Sequence, residues 1–300
     1  CILPVILFLV VISLAPLVLA AIDSLREMSL SAVSRYGRFN GLENYVTVLE
    51  PDSGFFPAIW RTALFVAIVV PIEFALGLLM ALALNREFAS RRIWVTLLLL
   101  PTMMAPVVVG LIWDFLLMPQ YGLLTYILNG LGLFQESPVF SQPVSAFLAF
   151  VVIDVWEWTP FMMLFMLAGL LGMPQDPIEA AQIDGASPWK VFWHVQLPLL
   201  RPMIVVALLF RSIDASKIFE TIFVLTNGGP GTTTELISIY AQRVGFQNWE
   251  LGDASAICLL LGFASLLAAS IFYKIVSGEG PRKAAGGAGE RRPAPGAARR

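Results

Sequence analysis

Charged residues are scarce in this sequence, and histidine and cysteine are nearly missing. Of 300 residues, 19 are Lys or Arg, 21 are Asp or Glu, two are Cys and one is His. The formal net charge of −2 gives no basic surplus, which argues against nucleic acid as a partner. Cys1 and Cys258 lie far apart in apolar segments, so they predict neither a disulfide framework nor a metal site. The chain starts at Cys1 without a Met, and we expect a longer N-terminus to precede it.

Long apolar runs take the place of charge, and 58% of the residues are hydrophobic. A soluble helical core breaks its apolar runs at roughly 10 to 14 residues, whereas a bilayer core needs about 20. Six runs approach that length: residues 2–21, 62–84, 93–117, 144–170, 203–225 and 254–276. The sequence therefore predicts an all-α integral membrane protein with six transmembrane helices in one transmembrane domain, residues 1–277. Prolines inside the runs, such as Pro101 and Pro106, are tolerated in membrane helices.

The distribution of Lys and Arg predicts the orientation of the chain in the membrane. The loop after the third run has no basic residue, and the loop after the fifth has only Arg243. Basic residues follow the second, fourth and sixth runs: Arg86, Arg91, Arg92, Lys190, Arg201, Lys274, Arg282, Lys283, Arg291, Arg292, Arg299 and Arg300. Both termini and residues 171–202 are therefore expected in the cytoplasm. Residues 278–300 are rich in Gly, Ala, Pro and Arg, which predicts a disordered cytoplasmic tail.

Residues 171–202 contain a polar stretch between two apolar runs, and it predicts a helical hairpin. Asp176-Pro177-Ile178-Glu179 offers an N-cap acid, a proline in the first turn and a Glu three residues after the cap. Gly185 suits the left-handed position at a helix end. Ser187-Pro188 starts a second helix by the same logic, and Leu197-Pro198 is expected to end it.

The second hairpin helix has an aromatic face. Trp189, Phe192 and Trp193 follow the i, i+3, i+4 spacing of one helix face. An amphipathic helix lying on the bilayer surface would need only that face. It would leave the two caps and the glycine turn unexplained, so the pattern favours a protruding cytoplasmic element that docks a partner protein.

Several segments resemble a known family. Glu179-Ala180-Ala181, Asp184-Gly185-Ala186 and Leu197-Pro198 resemble the EAA loop of binding-protein-dependent ABC importers, with the spacing intact. Residues 207–240 and 40–49 are similar to carbohydrate-uptake permeases of the maltose and glycerol-3-phosphate type. Within that class, residues 203–240 resemble trehalose-type permeases.

The resemblance implies a permease subunit of the type I ABC importer kind in a bacterial cell membrane. It implies a second permease subunit, two cytoplasmic ATPase subunits that bind ATP and Mg²⁺, and an extracytoplasmic binding protein that delivers a di- or oligosaccharide or related polyol. The EAA hairpin would dock on an ATPase. The residues implied for that coupling are Glu179, Ala180, Ala181, Asp184, Gly185, Lys190, Phe192, Leu197 and Pro198.

The chain itself is not expected to hydrolyse ATP or to bind a cofactor. It has no G-x-x-x-x-G-K-[ST] loop of the kind that cradles phosphates. The Gly-rich stretch at residues 227–234 lacks the lysine and is expected on the external side. We interpret it as a tight turn after the fifth run.

Two groups of polar residues lie within the apolar runs. Burying a charged group in lipid costs free energy unless the group is paired or faces water. In the fifth run, the charges at i+3 steps either line the sugar pathway or pair to hold the assembly together. In the fourth run, Trp and acid side chains suit sugar recognition, although a Trp is also an ordinary interfacial anchor. The candidate pathway residues are Asp154, Trp156, Glu157, Arg211, Asp214, Lys217 and Glu220.

Two other functional classes compete with the importer. An ion-coupled secondary transporter would use intramembrane acids such as Glu73, Asp114 or Asp154, but it does not need a capped cytoplasmic hairpin. An intramembrane enzyme would need an acid dyad such as Asp154 with Asp214. Arg211 and Lys217 would keep Asp214 ionised, which disfavours that chemistry. The importer is the interpretation that the sequence favours.

Overall fold

The computed structural model describes residues 3–29, 36–132 and 138–277, and these are mostly helical. The predicted tail, residues 278–300, lies outside the described residues. The α-helices are α1 (Leu3–Asp23), α2 (Glu43–Val48), α3 (Phe55–Leu84), α4 (Arg91–Leu99), α5 (Pro106–Leu116), α6 (Leu123–Gly130), α7 (Pro143–Leu171), α8 (Asp176–Ile183), α9 (Pro188–Val191), α10 (Leu197–Ala215), α11 (Glu220–Leu225), α12 (Ile237–Gln242) and α13 (Leu251–Ser277). Short 3-10 turns cover Pro101–Met103 and Val139–Ser141, and π-helical turns cover Phe192–Gln196 and Arg243–Gln247.

Several of these helices have the length and composition of membrane spans. Among the described residues, four stretches are long and apolar enough to cross a membrane, and two more are apolar but shorter. The four are Phe55–Leu84, Pro143–Leu171, Pro188–Leu225 and Leu251–Ile271, and the shorter two are Val10–Asp23 and Pro106–Leu116. Three of the four contain the second, fourth and sixth predicted runs nearly whole. The total of six spans stays a prediction.

The third run is not one helix, and the prediction of a continuous span over residues 93–117 is wrong. Helix α4 ends at Leu99, and α5 begins only at Pro106. Pro101 and Pro106 have no backbone N–H to donate, and a proline pushes the residue before it out of the α conformation. Ala105 accordingly has the extended angles φ −68° and ψ 136°.

The fifth run also differs from its prediction. The predicted span lies within the span-length stretch Pro188–Leu225, but its helix is interrupted, because α10 starts at Leu197, ends at Ala215 and is followed by a separate α11. Near the break, the Ser212 hydroxyl donates to the Leu208 carbonyl and the Ser216 hydroxyl to the Ile213 carbonyl, both at 2.7 Å. Such bonds back to the preceding turn bend and weaken helices. Lys217 and Glu220 therefore do not continue the helix of Arg211, and the predicted stripe of four charges on one helix is wrong.

The expected helix end at Leu197-Pro198 is wrong too. The chain stays helical from α9 through the π-helical turn Phe192–Gln196 into α10. Pro198 lies in the first turn of α10, directly after the π-helical turn, and does not end the helix. The hairpin is thus joined rigidly to α10.

The main core lies where α3 and α7 pack against each other. A Cβ at Gly77 would lie 2.6 Å from the Cβ of Met162, so only glycine allows this close approach. The rings of Phe65 and Phe150 stack across the same interface with centroids 4.5 Å apart. Helix α10 joins this pair near Gly169 of α7, where an added Cβ would lie 2.8 Å from Leu200.

A small β-ribbon departs from the all-α prediction. Strands β1 (Arg26–Glu27) and β2 (Arg38–Phe39) pair antiparallel. The buried Asn44 side chain donates to the carbonyls of Ser24 and Arg26 at 2.8 and 2.9 Å. The backbone N–H of Leu251 donates to the Met28 carbonyl at 2.9 Å. These bonds fasten the segment between α1 and α3 to the start of α13.

Candidate functional site

The hairpin turn between α8 and α9 is built around Gly185. Its N–H donates to the Gln182 carbonyl and the Ala186 N–H donates to the Ala181 carbonyl, both at 3.0 Å. This is the bond pattern of a Schellman helix end, which requires a left-handed residue. Gly185 has φ +77°, and an added Cβ would meet nothing within 4 Å. The backbone angle, and not crowding, is therefore what favours glycine, and the predicted glycine turn is confirmed.

The capping predictions for the hairpin have different outcomes. Ser187 caps the second helix as predicted, since its hydroxyl accepts the Lys190 N–H at 3.5 Å. Asp176 is not the cap of the first helix, because it is already helical and Gln175 precedes it. No side chain of the described residues caps that helix. Pro177 fills the first turn, and the acidic Asp176 and Glu179 lie near the positive end of the helix dipole.

The hairpin has a buried inner face and an exposed outer face. Ile178 and Val191 are buried and belong to the main hydrophobic core. Ile183, Trp189 and Trp193 are 86%, 70% and 47% exposed. The two Trp rings contact each other edge to face with centroids 5.6 Å apart. A firmly anchored hairpin thus presents large apolar side chains, as a protein or membrane contact does.

The residues predicted for coupling surround this outer face. Phe192 is half-buried, and Ala181 packs against the core. The other members of the predicted set inside the hairpin are exposed: Glu179, Ala180, Asp184, Gly185 and Lys190. Leu197 and Pro198 lie in the first turn of α10.

A second cluster lies deep among the membrane-spanning segments, where α3, α7 and α10 meet. The side chains of Glu73, Asp154 and Arg211 are fully buried. Arg211 Nε lies 2.8 Å from Glu73 Oε2, and Arg211 Nη2 lies 2.9 Å from Glu73 Oε1. This two-pronged geometry is the strong form of an Arg–carboxylate pair.

Arg211 binds further groups with its remaining donors. Its Nη2 also donates to Asp154, and its Nη1 donates to Asp214 Oδ2 at 3.1 Å. Its guanidinium carbon lies 4.7 Å from the ring centroid of Trp158, in cation–π contact. A single guanidinium therefore joins three helices, and we call Glu73, Asp154, Arg211 and Asp214 the arginine hub.

Family comparison adds to this geometry. Residues 73–278 match the model of the family described as "Binding-protein-dependent transport system inner membrane component". The chain belongs to this family. The permease is 42% identical over 240 residues, 78% of each chain, to the "Trehalose/maltose transport system permease protein MalF" of Thermococcus litoralis. It is 37% identical over 243 residues, 81% of this chain and 76% of the relative, to the "Trehalose transport system permease protein SugA" of Mycobacterium tuberculosis.

A solved structure has the same fold. The permease superposes on a chain of a bacterial ABC transporter involved in the import of the acidic polysaccharide alginate, with a TM-score of 0.77. The alignment covers 92% of this chain and 93% of that chain at 22% identity. The family and the fold make the protein an inner membrane transport component, and they favour the importer over the ion-coupled transporter.

The structure brings together only some of the predicted pathway residues. Asp154, Arg211 and Asp214 meet in the hub, while Lys217 and Glu220 lie beyond the end of α10 and are exposed. Glu73, which the sequence suggested only as an ion-coupling acid, is the main partner of Arg211. The signal in the sequence was the single acid Glu73 in the second apolar run and the single arginine Arg211 in the fifth. The sequence does not show that these two side chains lie close together in space.

Glu157 and Asp154 contribute buried oxygens without a matching donor. Glu157 is 1% exposed, and its backbone carbonyl accepts from the Thr102 hydroxyl. Its Oε2 and the Oδ1 of Asp154 have no hydrogen-bond partner within residues 3–29, 36–132 and 138–277. The region around the hub is therefore richer in acceptors than in donors.

Trp156 points away from the hub. Its ring contacts Trp113 edge to face, with centroids 5.6 Å apart. It lines a groove of about 690 Å³ between α3, the Pro101–Met103 turn and α7. The groove is lined mainly by apolar side chains such as Leu76 and Met80. Trp158, two residues on, is the ring that lies at the hub.

A separate ion-pair cluster lies outside the hub, at the loop after α11. The buried Glu235 carboxylate pairs with Arg243 and, at 3.7 Å, with Arg61 of α3. Arg61 also donates to the Glu235 carbonyl at 3.0 Å and to the Thr232 hydroxyl at 3.1 Å. Burial raises the pKa of the Glu235 carboxyl above its usual range, and the two arginines oppose that rise. The cluster fastens the Gly-rich turn to α3.

Proposed function

We propose that this permease is one half of the membrane pathway of an ATP-driven importer for a di- or oligosaccharide or a related polyol. An extracytoplasmic solute-binding protein delivers the sugar, and separate ATPase subunits drive uptake. The sugar class is supported by relatives at 42% and 37% identity that are named for trehalose and maltose transport. A third relative, 34% identical, is named for sulfoquinovosyl glycerol.

The observation that carries the mechanism is the hairpin with its exposed apolar face. Helix α7 leads into the hairpin and α10 leads out of it, so a protein that holds the hairpin can move both helices. We assign Glu179, Asp184 and Lys190 to the rim of the ATPase contact, and Phe192 to its half-buried centre. Ala180, Ala181, Gly185, Leu197 and Pro198 shape the turn and its attachment to α10.

The proposed assembly has further parts. A second, related permease subunit completes the pathway, two ATPase subunits bind ATP and Mg²⁺ in the cytoplasm, and lipid surrounds six spans. Both termini and residues 171–202 face the cytoplasm, which agrees with the distribution of Lys and Arg. Residues 1–277 form the membrane domain, and residues 278–300 are a cytoplasmic tail.

The candidate sugar contacts divide by exposure. Asp214, whose side chain is 39% exposed, and the half-buried Trp158 offer a carboxylate and a ring of the kind that binds sugar hydroxyls and apolar sugar faces. Lys217, Glu220 and Trp156 are also exposed. Asp154, Glu157 and Arg211 are at most 1% exposed, so we assign them to holding the pathway-lining helices in place and not to sugar contact.

Co-purification tests the proposed function. The permease is expressed with its genomic neighbours and purified through a tag on this chain. We expect a second permease and two ATPase copies to accompany it, and ATP hydrolysis to rise when one sugar-loaded binding protein is added. A chain that purifies alone and never stimulates hydrolysis would refute the proposal.

A further inference from the structure

The arginine hub lies several helical turns away from the hairpin on the two helices that hold it. Asp154 lies 17 residues before the end of α7 at Leu171, and Arg211 lies 14 residues after the start of α10 at Leu197. At 1.5 Å per residue, both are roughly 20 to 25 Å from the hairpin. The hub therefore joins α7 and α10 deep between the membrane-spanning helices, at a distance from the hairpin that connects them.

Helix α10 depends on the hub more than α3 and α7 do. Helices α3 and α7 interlock through the close contact of Gly77 with Met162. The opposite side of α10 borders a groove of about 390 Å³ shared with α3 and α13. Small side chains line much of that groove, including Ser212, Ser216 and Ser265. On this side α10 has room to shift, so its position depends on its contacts with α7. These are the close approach at Gly169 near the hairpin, the stacked rings of Phe161 and Phe210, and Arg211 at the hub.

A buried charge network is a poor way to gain stability alone. Removing charges from water costs free energy that well-packed apolar side chains of similar volume would not cost. Such networks are best attested where they fix the register of helices. Here Arg211 fixes α10 against α3 through Glu73 and against α7 through Asp154, and both partners are fully buried.

We propose that Arg211 is a positioning residue for coupled transport: through Glu73 and Asp154 it makes α3, α7 and α10 move as one body when the hairpin is displaced. The inference rests on the proposed function, because it takes the hairpin to be the part that the ATPase moves. Without the hub, α10 would yield into the neighbouring groove, and the displacement would not reach the membrane centre.

The test uses the complete importer in lipid, with its partner permease, ATPase subunits and binding protein. The main variant is Glu73→Gln/Asp154→Asn/Arg211→Gln, which removes Arg211 together with its two fully buried carboxylate partners. Arg211→Lys keeps the charge and loses the two-pronged geometry. Arg61→Gln is the matched control, because it removes an arginine of α3 that bonds a loop and not α7 or α10, and Glu235 keeps Arg243.

We measure ATP hydrolysis with and without increasing sugar-loaded binding protein, and the amount of assembled complex. In the triple variant we expect wild-type assembly, continued basal hydrolysis and a ratio of stimulated to basal rate that falls towards one. The binding-protein concentration that gives half-maximal stimulation of the remaining signal should not change, since no docking or sugar contact is lost. Arg211→Lys should give an intermediate ratio, and Arg61→Gln the wild-type ratio.

Two results would overturn the inference. One is a triple variant stimulated to the wild-type ratio. The other is a loss of stimulation that the loss of assembled complex accounts for, which would make the hub a folding element only. If the wild-type importer itself is not stimulated by any binding protein, the proposed function fails and this inference fails with it.

Discussion

At the scale of single residues, Arg211 is a tightly constrained side chain. It is fully buried among membrane-spanning helices, engages three carboxylates and packs under the Trp158 ring. A charge at this depth persists only where its partners compensate it. The contribution of Arg211 to the free energy of unfolding can be measured separately from its role in coupled transport.

Arg211→Gln is expected to lower the free energy of unfolding by about 3 to 5 kcal/mol, because it leaves Glu73 and Asp154 buried without a cation. Denaturant or thermal unfolding of the purified protein in detergent measures this. Arg61→Gln should cost less, because Glu235 keeps Arg243 as an ion-pair partner. Equal losses for the two variants would contradict the account of the hub.

Gly185 is constrained by its backbone angle alone. Because φ is +77° and space surrounds the position, Gly185→Ala should cost about 1 to 2 kcal/mol locally. Gly185→Asn should cost less, since Asn adopts the left-handed conformation more readily than other side chains. Protease sensitivity of the hairpin compares the two variants. Greater sensitivity of the Asn variant would contradict the turn geometry.

At the scale of elements, the hairpin is the part that links the permease to a partner. Its inner face is anchored in the core by Ile178 and Val191, and the π-helical turn Phe192–Gln196 continues into α10. A force on the hairpin therefore acts directly on a long helix. Two predictions concern this element as a whole.

Breaking the hairpin turn should uncouple transport without preventing membrane insertion. Gly185→Pro cannot adopt the required positive φ, and Glu179→Lys reverses an exposed charge in the first turn of α8. We expect both variants to reach the membrane at wild-type amounts and to lose sugar uptake, with Gly185→Asn as the conservative control. Normal uptake in Gly185→Pro and Glu179→Lys would refute the docking role.

Truncating the aromatic face should weaken the contact with the ATPase. Trp189 is 70% exposed and contacts Trp193 edge to face, so Trp189→Ala/Trp193→Ala removes exposed apolar area with little change to the core. We expect less ATPase to co-purify under stringent washing. Trp60→Ala serves as the control, because Trp60 is 68% exposed on α3. Retention of the ATPase equal to that of the control would indicate that this face contacts lipid instead.

At the scale of the whole molecule, the sequence predicts the class of the protein well. Apolar runs set the long helices α3, α7 and α13, and the spacing of Gly185 and Ser187 sets the hairpin. Those features are local, so one segment contains all the information for them. The membrane class follows from them.

Features that depend on competing local effects were harder to predict. The run at residues 93–117 has the hydropathy of one span, yet Pro101 and Pro106 divide it. The opposite error occurred at Pro198, where a proline expected to end a helix lies in the first turn of α10. Hydropathy and the number of prolines do not show whether a given proline will interrupt a helix or lie within one.

Contacts between distant segments could not be predicted at all. Glu73 and Arg211 are 138 residues apart, and only the packing of α3 and α10 brings them together. Likewise, the expected stripe of charges failed because α10 ends at Ala215, before Lys217. The hub therefore had to be found in the structure.

Uptake of labelled sugar into lipid vesicles is the most direct test of ATP-driven sugar import by this permease. The purified importer is reconstituted with ATP on the ATPase side and labelled trehalose or maltose with its binding protein on the other. We expect uptake to require both ATP and the binding protein. Removing the proton and sodium gradients should leave the uptake unchanged. Uptake driven by an ion gradient without ATP would contradict ATP-driven import.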